Sequence, residues 1–411
     1  FLRTFTVHYL DTGAQCICNP YTMEECMKFI HTADIHWGMI PDSDKPWGKK
    51  REQAIRLTFQ EIIEDARDSR ADLLLISGDL FHRQPLARDL KEVNYLFSTI
   101  PGVQVMIIAG NHDSGERLEF ARELLEKEGV FIAGLPPREA GEKIRKVAMT
   151  DSAGEVCFYL LPFTKPSHLR KKYEEEKIDS YEDAVKKLLE EEEIDTTKRN
   201  VLLSHQFYLS GGSEPLTCDS EIRMAGGIDE IDTRLLEDFD YVALGHIHRA
   251  QRIGKRQCYY SGTPLKYSVS EASHEKSFQI VELGEKGQEP VVRKRQLKSL
   301  RELCVLRGTL QGVLEQREHA KDFVSITLTD EEEPYMPKEQ LELVFDHILE
   351  IRIDNERTRR ILDLYEEEEE TESLFESFAS FFETVQGRSM NEAEQEAAQD
   401  AWNEIIEGGA E

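Results

Sequence analysis

Four short segments of the sequence each place candidate metal ligands directly after an apolar run, and one further histidine follows another such run. The segments are Asp34-Ile-His36, Gly78-Asp79, Gly110-Asn111-His112-Asp113 and Gly245-His246-Ile-His248, and the further histidine is His205. Oxygen and nitrogen ligands without a thiolate suit Mn²⁺, Fe or another hard to borderline cation better than a structural zinc ion. The sequence therefore predicts a centre for divalent cations that is assembled from five distant segments.

The spacing within these segments favours a site for two cations. Alternate side chains of an extended segment point the same way, so Asp34 and His36 can bind one ion together. His246 and His248 have the same spacing and could give one imidazole to each of two ions. The glycine before Asp79 leaves backbone room for a carboxylate that bridges two cations about 3.5–4 Å apart.

The pattern of apolar runs indicates how these segments come together. Between residues 27 and 289, short apolar runs alternate with amphipathic helical stretches, which predicts a sheet covered by helices. In such folds the loops beyond the carboxyl ends of the strands converge on one site. The predicted strands are Lys28–Thr32, Leu73–Ser77, Gln104–Ala109, Val156–Leu161, Asn200–Ser204 and Tyr241–Leu244.

The order of the motifs, Asp-x-His, Gly-Asp, Gly-Asn-His-Asp, His and Gly-His-x-His, resembles the calcineurin-like metallophosphoesterase superfamily from residue 27 to about residue 270. His82, in Gly-Asp-Leu-Phe-His, looks like the DNA-repair nuclease branch rather than the protein phosphatases. The resemblance implies an α/β fold, a β-sandwich flanked by helices, with a small α+β capping domain and a C-terminal helical hairpin. It also implies a nuclease of DNA repair, replication and recombination, with double-strand 3′–5′ exonuclease and single-strand or hairpin endonuclease activity.

Four segments are expected along the chain. The chain opens with Phe1 instead of an initiator methionine and residues 1–26 show no clear periodicity, so we expect an upstream extension outside the fold. Residues 27–289 are expected to form the nuclease domain and residues 290–365 the capping, DNA-binding domain. Residues 366–411 are expected to form an acidic helical hairpin.

The resemblance implies two ligand sets that share one carboxylate, with Mn²⁺ as the expected ion. Metal one would be held by Asp34, His36, Asp79 and His248, and metal two by Asp79, Asn111, His205 and His246. His112 follows a ligand in the sequence and would stabilise the transition state or protonate the leaving oxygen. The resemblance gives His82 a role in steering the DNA strand or assisting exonuclease action. Alternatively, His82 donates a hydrogen bond to one of the metal ligands.

DNA contacts must come from local positive charge, because the formal net charge is −29 and −14 of it lies in residues 366–411. Arg83 and Arg117 lie in loops near the metal motifs, and Lys165 opens a basic run; these three residues are the predicted phosphate contacts. Basic runs at 165–172, 249–256 and 293–295 are further candidates, and a solvated surface is the alternative for each. Since basic and aromatic residues do not alternate, we expect contact that is independent of base sequence.

The acidic tail has two apolar stripes at helical spacing. A single hairpin cannot bury both stripes, so it docks either on its own chain or on a partner. The resemblance implies an SMC-like ATPase as that partner, and a homodimer of this chain within a heterotetramer. The predicted partner-binding residues are Leu374, Phe375, Phe378, Phe381, Phe382, Trp402 and Ile405.

Two alternative functions stay open. One is a metallophosphoesterase acting on a small phosphodiester, and the other is a non-catalytic scaffold for the ATPase. The longest apolar runs are too short to span a membrane, and seven cysteines without a disulfide framework indicate reduced thiols. We therefore expect a cytoplasmic protein that associates with the nucleoid when it acts.

Overall fold

Apolar strands and amphipathic helices alternate through the chain, as predicted. The computed structural model describes residues 6–9, 15–18, 26–174, 176–219, 229–254, 257–299, 301–332, 334–359 and scattered positions between 378 and 398. Among these residues, the strands are β1 Thr6–Tyr9, β2 Gln15–Cys18, β3 Met27–Thr32, β4 Leu73–Ser77, β5 Gln104–Ile108, β6 Val130–Ala133, β7 Arg145–Asp151, β8 Gly154–Leu161, β9 Arg199–Ser204, β10 Phe207–Leu209, β11 Glu230–Asp232, β12 Tyr241–Leu244, β13 Gln251–Ile253, β14 Cys258–Tyr260, β15 Ser277–Leu283, β16 Val291–Gln296, β17 Leu303–Gly308, β18 Phe323–Leu328 and β19 His347–Ile353. The α-helices are α1 Gly48–Asp68, α2 Ala87–Ser98, α3 Gly115–Leu118, α4 Arg122–Lys127, α5 Pro166–Leu169, α6 Tyr181–Glu190, α7 Leu310–Leu314 and α8 Pro337–Glu342. The six predicted strands are thereby confirmed.

Two large sheets belong to the first of the two units into which the chain divides, Phe1–Cys304. The six-stranded sheet has the order β16-β15-β3-β4-β5-β6, and β3 to β6 run parallel. The eight-stranded sheet has the order β1-β2-β7-β8-β9-β12-β14-β13, and β8, β9, β12 and β14 run parallel. The second unit, Val305–Glu411, contains β18 and β19 of a three-stranded sheet with the order β17-β18-β19. No helix in the described residues is long and apolar enough to cross a bilayer.

The two large sheets pack face to face over apolar side chains. Phe29 and Leu75 of the six-stranded sheet share one buried cluster with Phe158 and Tyr241 of the eight-stranded sheet. The rings of Phe29 and Tyr241 lie 5.3 Å apart in an edge-to-face arrangement. Helices α1 and α2 cover the outer face of the six-stranded sheet, and α5 and α6 cover that of the eight-stranded sheet. Helices on the outer faces explain why the parallel strands are apolar on both sides, and the predicted β-sandwich flanked by helices is confirmed.

A buried ion pair joins the two sheets at one end of the sandwich. Arg199 Nη1 donates to Asp151 Oδ2 at 2.9 Å, and Nη2 donates to the other carboxylate oxygen. Asp151 also accepts from the Met27 amide at 2.7 Å, and Arg199 also donates to the Leu283 carbonyl at 3.3 Å. Because Met27 and Leu283 belong to the opposite sheet, the buried charges are satisfied across the sandwich.

The structure differs from the expected boundary between residues 289 and 290. Residues 291–296, expected to open the capping domain, form β16 and pair with β15 of the first unit. The division into units falls at Cys304 and Val305, about fifteen residues later than expected. The exposed, basic sequence of β16 led to the error, because an edge strand of a sheet needs no apolar face of its own.

Two short segments of residues 1–26, which were expected to lie outside the fold, are paired as strands. β1 and β2 pair with each other, and β2 pairs in parallel with β7 at the edge of the eight-stranded sheet. Without a further strand, the backbone groups of β7 at that edge would be unpaired. Pairing with β2 satisfies them.

Most of the expected hairpin, residues 366–411, lies outside the described residues, including Leu374, Phe375, Trp402 and Ile405. Phe378, Phe381 and Phe382 are among the described positions. Phe381 is 64% exposed and Phe378 is 39% exposed.

Candidate metal centre

Five loops bring the predicted ligands to one edge of the sandwich. Asp34, Asp79 and Asn111 follow the adjacent parallel strands β3, β4 and β5 of the six-stranded sheet. His205 and His246 follow the adjacent parallel strands β9 and β12 of the eight-stranded sheet. Because parallel strands end at the same edge of a sheet, two neighbouring sheets direct five loops to one place. The sequence predicted this convergence, and the structure places these residues together.

The ligand-bearing turns adopt an unusual backbone conformation. Asp34, His36, Asp79 and His246 have φ values of +53°, +49°, +51° and +93°. Residues with a side chain rarely adopt this left-handed region, and where they do, the surrounding structure must hold them there. The Asp34 amide donates to the Gly78 carbonyl at 3.0 Å, and the His36 amide donates to the Asp79 carbonyl at 2.9 Å. These hydrogen bonds tie the loops after β3 and β4 to each other.

Glycines allow the loops to approach one another closely. A Cβ atom on Gly110 would lie 2.1 Å from Asp79 Oδ1, and a Cβ atom on Gly78 would lie 2.1 Å from His205 Nδ1. A Cβ atom on Gly245 would lie 2.0 Å from the Ser77 carbonyl oxygen. Any other residue at these positions would push the ligands apart.

Asp79 and Asn111 lie between the histidines. Asp79 Oδ2 is 3.3 Å from His205 Nε2 and 3.9 Å from His36 Nε2. Asn111 Oδ1 is 3.1 Å from both His205 Nε2 and His246 Nδ1. Asp79 therefore has a neighbour from each of the two predicted ligand sets, as a bridging carboxylate would.

Asp34 closes the other side of the cluster. Its two carboxylate oxygens each accept from the His246 amide at 3.1 Å. The nitrogens of His36 and His248 and an Asp34 oxygen lie within 4.8 Å of one another, as do ligand atoms of Asp34, Asp79 and His205. The geometry is thus that of two adjoining groups of hard ligands.

The electrostatics of the cluster fit bound cations. Asp34 and Asp79 are fully or almost fully buried, and in the described part of the chain their ion pairs are with histidines alone. Burial raises the pKa of Asp34 to about 7. Burial opposes ionisation of Asp79 as well, but His205 and His36 hold its pKa well below the usual range. Two buried carboxylates without lysine or arginine are what divalent cations would neutralise.

Two of the histidines are oriented by hydrogen bonds that their Nδ1 atoms donate. His205 Nδ1 donates to the Ser77 carbonyl at 2.8 Å, which leaves Nε2 facing Asp79 and Asn111. His248 Nδ1 donates to Glu271 Oε1 at 3.2 Å, and Lys276 Nζ donates to the other oxygen of Glu271. Each imidazole therefore presents its second nitrogen in a fixed direction.

Three residues that hold the ligands were not predicted from the sequence to do so. The Asp113 carboxylate accepts from the amides of Phe81 at 2.8 Å and Gly110 at 3.0 Å, and so joins the loops of Asp79 and Asn111. Glu271 positions His248, as described. Tyr267 donates its hydroxyl proton to the Ile35 carbonyl at 2.7 Å, between Asp34 and His36. The sequence offered two signals for these residues: an aspartate at the end of Gly-Asn-His-Asp, and a tyrosine and a glutamate four residues apart. Neither pattern is specific.

His82 and His112 lie side by side beside His36. The rings of His82 and His112 are stacked with centroids 5.2 Å apart, and the His112 ring meets His36 edge to face at 4.9 Å. His82 Nδ1 is 3.4 Å from His36 Nδ1. The amide of His112 donates to Asp79 Oδ1 at 2.8 Å. Both imidazoles are partly exposed, and thus accessible to a substrate at the centre.

The three predicted phosphate contacts are exposed near the centre. Lys165 Nζ lies 5.8 Å from the centre of the Phe163 ring, and that ring stacks on His246 at 6.3 Å. Arg83 follows His82 directly. Arg117 donates from Nε to the Gln84 side-chain oxygen at 2.8 Å, once that amide is oriented to accept. The positions suit contact with a substrate on two sides of the ligand cluster.

Sequence comparison identifies the protein family. Residues 27–250, more than half of the chain, match the calcineurin-like phosphoesterase family. The chain belongs to this family. It is accordingly a metal-dependent hydrolase of phosphoesters, and the family named from the sequence motifs is confirmed. Residues 299–386 match a second family, described as the type 5 capsule protein repressor C-terminal domain.

Curated relatives and solved structures are similar to the chain. The SbcD subunit of the nuclease SbcCD from Staphylococcus epidermidis is 27% identical over 79% of this chain and 84% of the relative. The SbcD subunit of the same nuclease from Staphylococcus saprophyticus is 28% identical over 72% of this chain and 75% of the relative. A dimetal phosphatase from Danio rerio covers 66% of this chain and 97% of its own, at 14% identity and a TM-score of 0.40. GAP50 of the Plasmodium inner membrane complex covers 67% of this chain and 90% of its own, at 13% identity and a TM-score of 0.39.

Replacing Gly110 with alanine should weaken metal binding without unfolding the chain. The new Cβ would lie 2.1 Å from Asp79 Oδ1 and 2.5 Å from the Asp79 amide nitrogen, so the Asp79 carboxylate must move. We expect an affinity for Mn²⁺ that is about 10- to 100-fold lower, by isothermal titration calorimetry. Gly308→Ala is the control, because its Cβ would meet nothing nearer than 3.8 Å. Wild-type affinity in Gly110→Ala would contradict the close approach of these loops.

Proposed function

We propose that the chain is a DNA nuclease that cleaves phosphodiester bonds at a centre for two divalent cations, in DNA repair, replication and recombination. The observation that carries the proposal is the position of Asp79, whose carboxylate lies between His36 and His205. Membership in the phosphoesterase family and the similarity to the SbcD subunit of the nuclease SbcCD support it. Double-strand 3′–5′ exonuclease and single-strand or hairpin endonuclease activity are part of the proposal.

Two ligand sets are proposed, with Mn²⁺ as the ion. Metal one would be held by Asp34, His36, Asp79 and His248, and metal two by Asp79, Asn111, His205 and His246. Oxygen and imidazole nitrogen ligands suit Mn²⁺, and the absence of thiolate from both sets disfavours a structural zinc site. When bound, such ions lower the pKa of water at the site and neutralise the charge of the phosphoryl oxygens.

His112 is proposed to act on the substrate rather than as a ligand. Its amide hydrogen bond to Asp79 fixes the backbone, while its imidazole stands beside His36 and is partly exposed. From there the ring can donate a hydrogen bond to a phosphoryl oxygen or a proton to the leaving oxygen. Burial and the neighbouring His112 lower the pKa of His82, so His82 would be neutral at pH 7. A neutral His82 stacked on His112 suits a role in orienting that ring and the DNA strand.

Changing His112 to alanine should separate catalysis from metal binding. We expect metal binding close to that of the wild type, because His112 is not a proposed ligand, and a loss of cleavage of about 10²- to 10⁴-fold. The measurement is Mn²⁺-dependent cleavage of linear double-stranded and hairpin DNA, with calorimetry for metal binding. Lys186→Ala, at an exposed lysine of α6, is the control.

The same experiment decides between the alternatives. Full activity in His112→Ala would refute the assignment of that residue. Hydrolysis of bis(p-nitrophenyl) phosphate without DNA cleavage would favour a small phosphodiester as substrate. Metal binding with hydrolysis of neither substrate would favour the scaffold.

The second unit and the acidic tail are proposed to serve DNA and a partner. The capping domain would bind DNA, and residues 366–411 would dock on an SbcC-type, SMC-like ATPase. The exposure of Phe378 and Phe381 supports this, because apolar side chains in an acidic segment have few other uses. Leu374, Phe375, Phe382, Trp402 and Ile405 are the other proposed partner contacts.

Replacing Phe381 with aspartate should weaken the complex with the cognate ATPase. A buried aromatic anchor at an interface commonly contributes about 2 kcal/mol or more, so we expect at least about a 30-fold loss of affinity. Surface plasmon resonance with the purified ATPase measures it. Tyr335→Asp, at an aromatic residue that is 81% exposed outside the tail, is the matched control. Equal losses in both variants, or none in Phe381→Asp, would count against docking by the tail.

A homodimer is proposed through the helices that cover the six-stranded sheet. The crossovers from β3 to β4, β5 and β6 all advance in one direction, so α1, α2 and α4 lie on one face. Tyr95, Phe120 and Leu124 project from this layer with exposures of 68%, 75% and 65%. Such large exposed apolar residues on neighbouring elements favour a second copy of the chain as partner.

Introducing a charge at Leu124 should therefore yield monomers. We expect sedimentation velocity to show a dimer for the wild type and a monomer for Leu124→Arg, because the arginine would be buried without a counter-charge. Leu216→Arg, at a leucine that is 57% exposed elsewhere in the first unit, should remain a dimer. A monomeric wild type would exclude this interface.

A further inference from the structure

A basic groove opens next to the metal centre, on the side of His248. It is a cavity of about 590 Å³ whose lining includes Arg249, His274, Ser277 and Lys294. Arg249 directly follows the proposed ligand His248 in the sequence. We refer to this cavity as the Arg249 groove.

Two buried residues that line the groove each carry a polar atom without a partner among the described residues. The exposed fraction of His274 is 7% and that of Ser277 is 4%. His274 Nδ1 and Ser277 Oγ have no hydrogen-bond partner among the residues that the structure describes. A buried polar group left without a partner is unfavourable, so both atoms have a reason to bind a ligand. The amide of His274 donates to the Glu271 carbonyl at 2.8 Å, which fixes the backbone at His274.

The charge of the groove favours an anion. Arg249 is exposed, and no ion pair of Arg249 occurs within the described residues. Lys294 Nζ donates to the Ala250 carbonyl at 3.1 Å and keeps its positive charge at the groove. Arg295 also lines the groove, with its Nε 3.3 Å from the Asp65 carboxylate. Glu275 is the acidic residue of the lining, and its carboxylate accepts from Gln296 Nε2 at 3.2 Å.

The protonation state of His274 is compatible with an anion in the groove. Burial and the charge of Lys276 lower the pKa of His274 to about 4. The imidazole is then neutral at pH 7, and one of its nitrogens carries a proton that it can donate.

We propose that the Arg249 groove binds a backbone phosphate of the polynucleotide next to the phosphodiester that lies at the metal centre. Arg249 and Lys294 supply the charge, and His274 and Ser277 supply hydrogen bonds to the phosphate oxygens. The inference rests on the proposed nuclease function, and it extends the path of the strand. Lys165, on the Phe163 ring that stacks on His246, and Arg249, which follows His248, would then contact the same strand.

Equilibrium binding of a fluorescently labelled single-stranded oligonucleotide tests the groove. EDTA prevents cleavage, and fluorescence anisotropy is followed over a series of salt concentrations. Because each phosphate contact to a single strand contributes about 0.7 to the slope of log K against log salt, Arg249→Gln should make that slope shallower by about 0.7. We expect it to weaken binding about fivefold to tenfold at low salt, whatever the base sequence. Lys186→Gln, at an exposed lysine of α6, is the matched loss of charge and should leave the slope unchanged.

Two variants of His274 test the hydrogen bond separately from charge. His274→Asn keeps a side-chain N–H near the position of Nδ1 and should bind the oligonucleotide like the wild type. His274→Phe removes the donor while filling the space, and should weaken binding with the salt slope unchanged. Equal binding by the asparagine and phenylalanine variants would overturn the role of His274.

The remaining outcomes separate the groove from the nuclease function. An unchanged affinity and slope in Arg249→Gln would overturn the proposal. A further outcome is that inorganic phosphate binds in the groove while Arg249→Gln leaves oligonucleotide binding unchanged. That result would assign the groove to a free anion and would also overturn the proposal. The binding assay needs no turnover, so a wild type that binds through Arg249 but never cleaves DNA with Mn²⁺ would refute the nuclease function alone.

Discussion

The burial of two carboxylates in one small volume is the constraint on which the rest of this structure depends. Asp34 and Asp79 are 0% and 2% exposed, and burial of a carboxylate without compensation is among the most expensive events in folding. Histidines give part of the compensation, since Asp79 raises the pKa of His205 to about 9 against the effect of burial. Burial lowers the pKa of His246 to about 3, however, so this imidazole adds no positive charge beside the carboxylates. Divalent cations would supply positive charge there, and the apolar sandwich beneath the loops must be stable enough to hold the carboxylates together before any cation binds.

The loops that carry the ligands are held by further acids placed behind them. Asp113 gathers amides from the loops after β4 and β5, and Glu271 holds His248 from the loop after β14. Glu271 is fully buried, and its charge is balanced by Lys276. Charge thus alternates from the centre outward: carboxylate, imidazole, carboxylate, ammonium. This order explains why a lysine can lie near a cation site without competing with the cations, because the intervening carboxylate separates the two.

The parts of the site that depend on strand ends could be predicted, and those that depend on the connections could not. Asp34, Asp79, Asn111, His205 and His246 each follow a short apolar run, and parallel strands direct such positions to one edge. Glu271 and His274 come from an irregular segment before β15 whose path no periodicity reveals. The start of the second unit was misjudged for a related reason. Val291–Gln296 has no apolar face, since an edge strand on an already covered sheet has little left to bury. The strands Thr6–Tyr9 and Gln15–Cys18 depend on pairing with each other and with β7, which composition does not specify.

The same edge strand connects the acidity of the chain with its proposed substrate. β16 reads Val-Val-Arg-Lys-Arg-Gln, and charged side chains on an edge strand discourage pairing with another chain. Lys294 and Arg295 of this strand also line the Arg249 groove. A chain with a net charge of −29 repels DNA over most of its surface, so a strand can approach closely only where basic residues are concentrated. The acidic surface elsewhere on the chain then contributes to the placement of the substrate. It lowers the number of positions away from the metal centre at which a polynucleotide could bind.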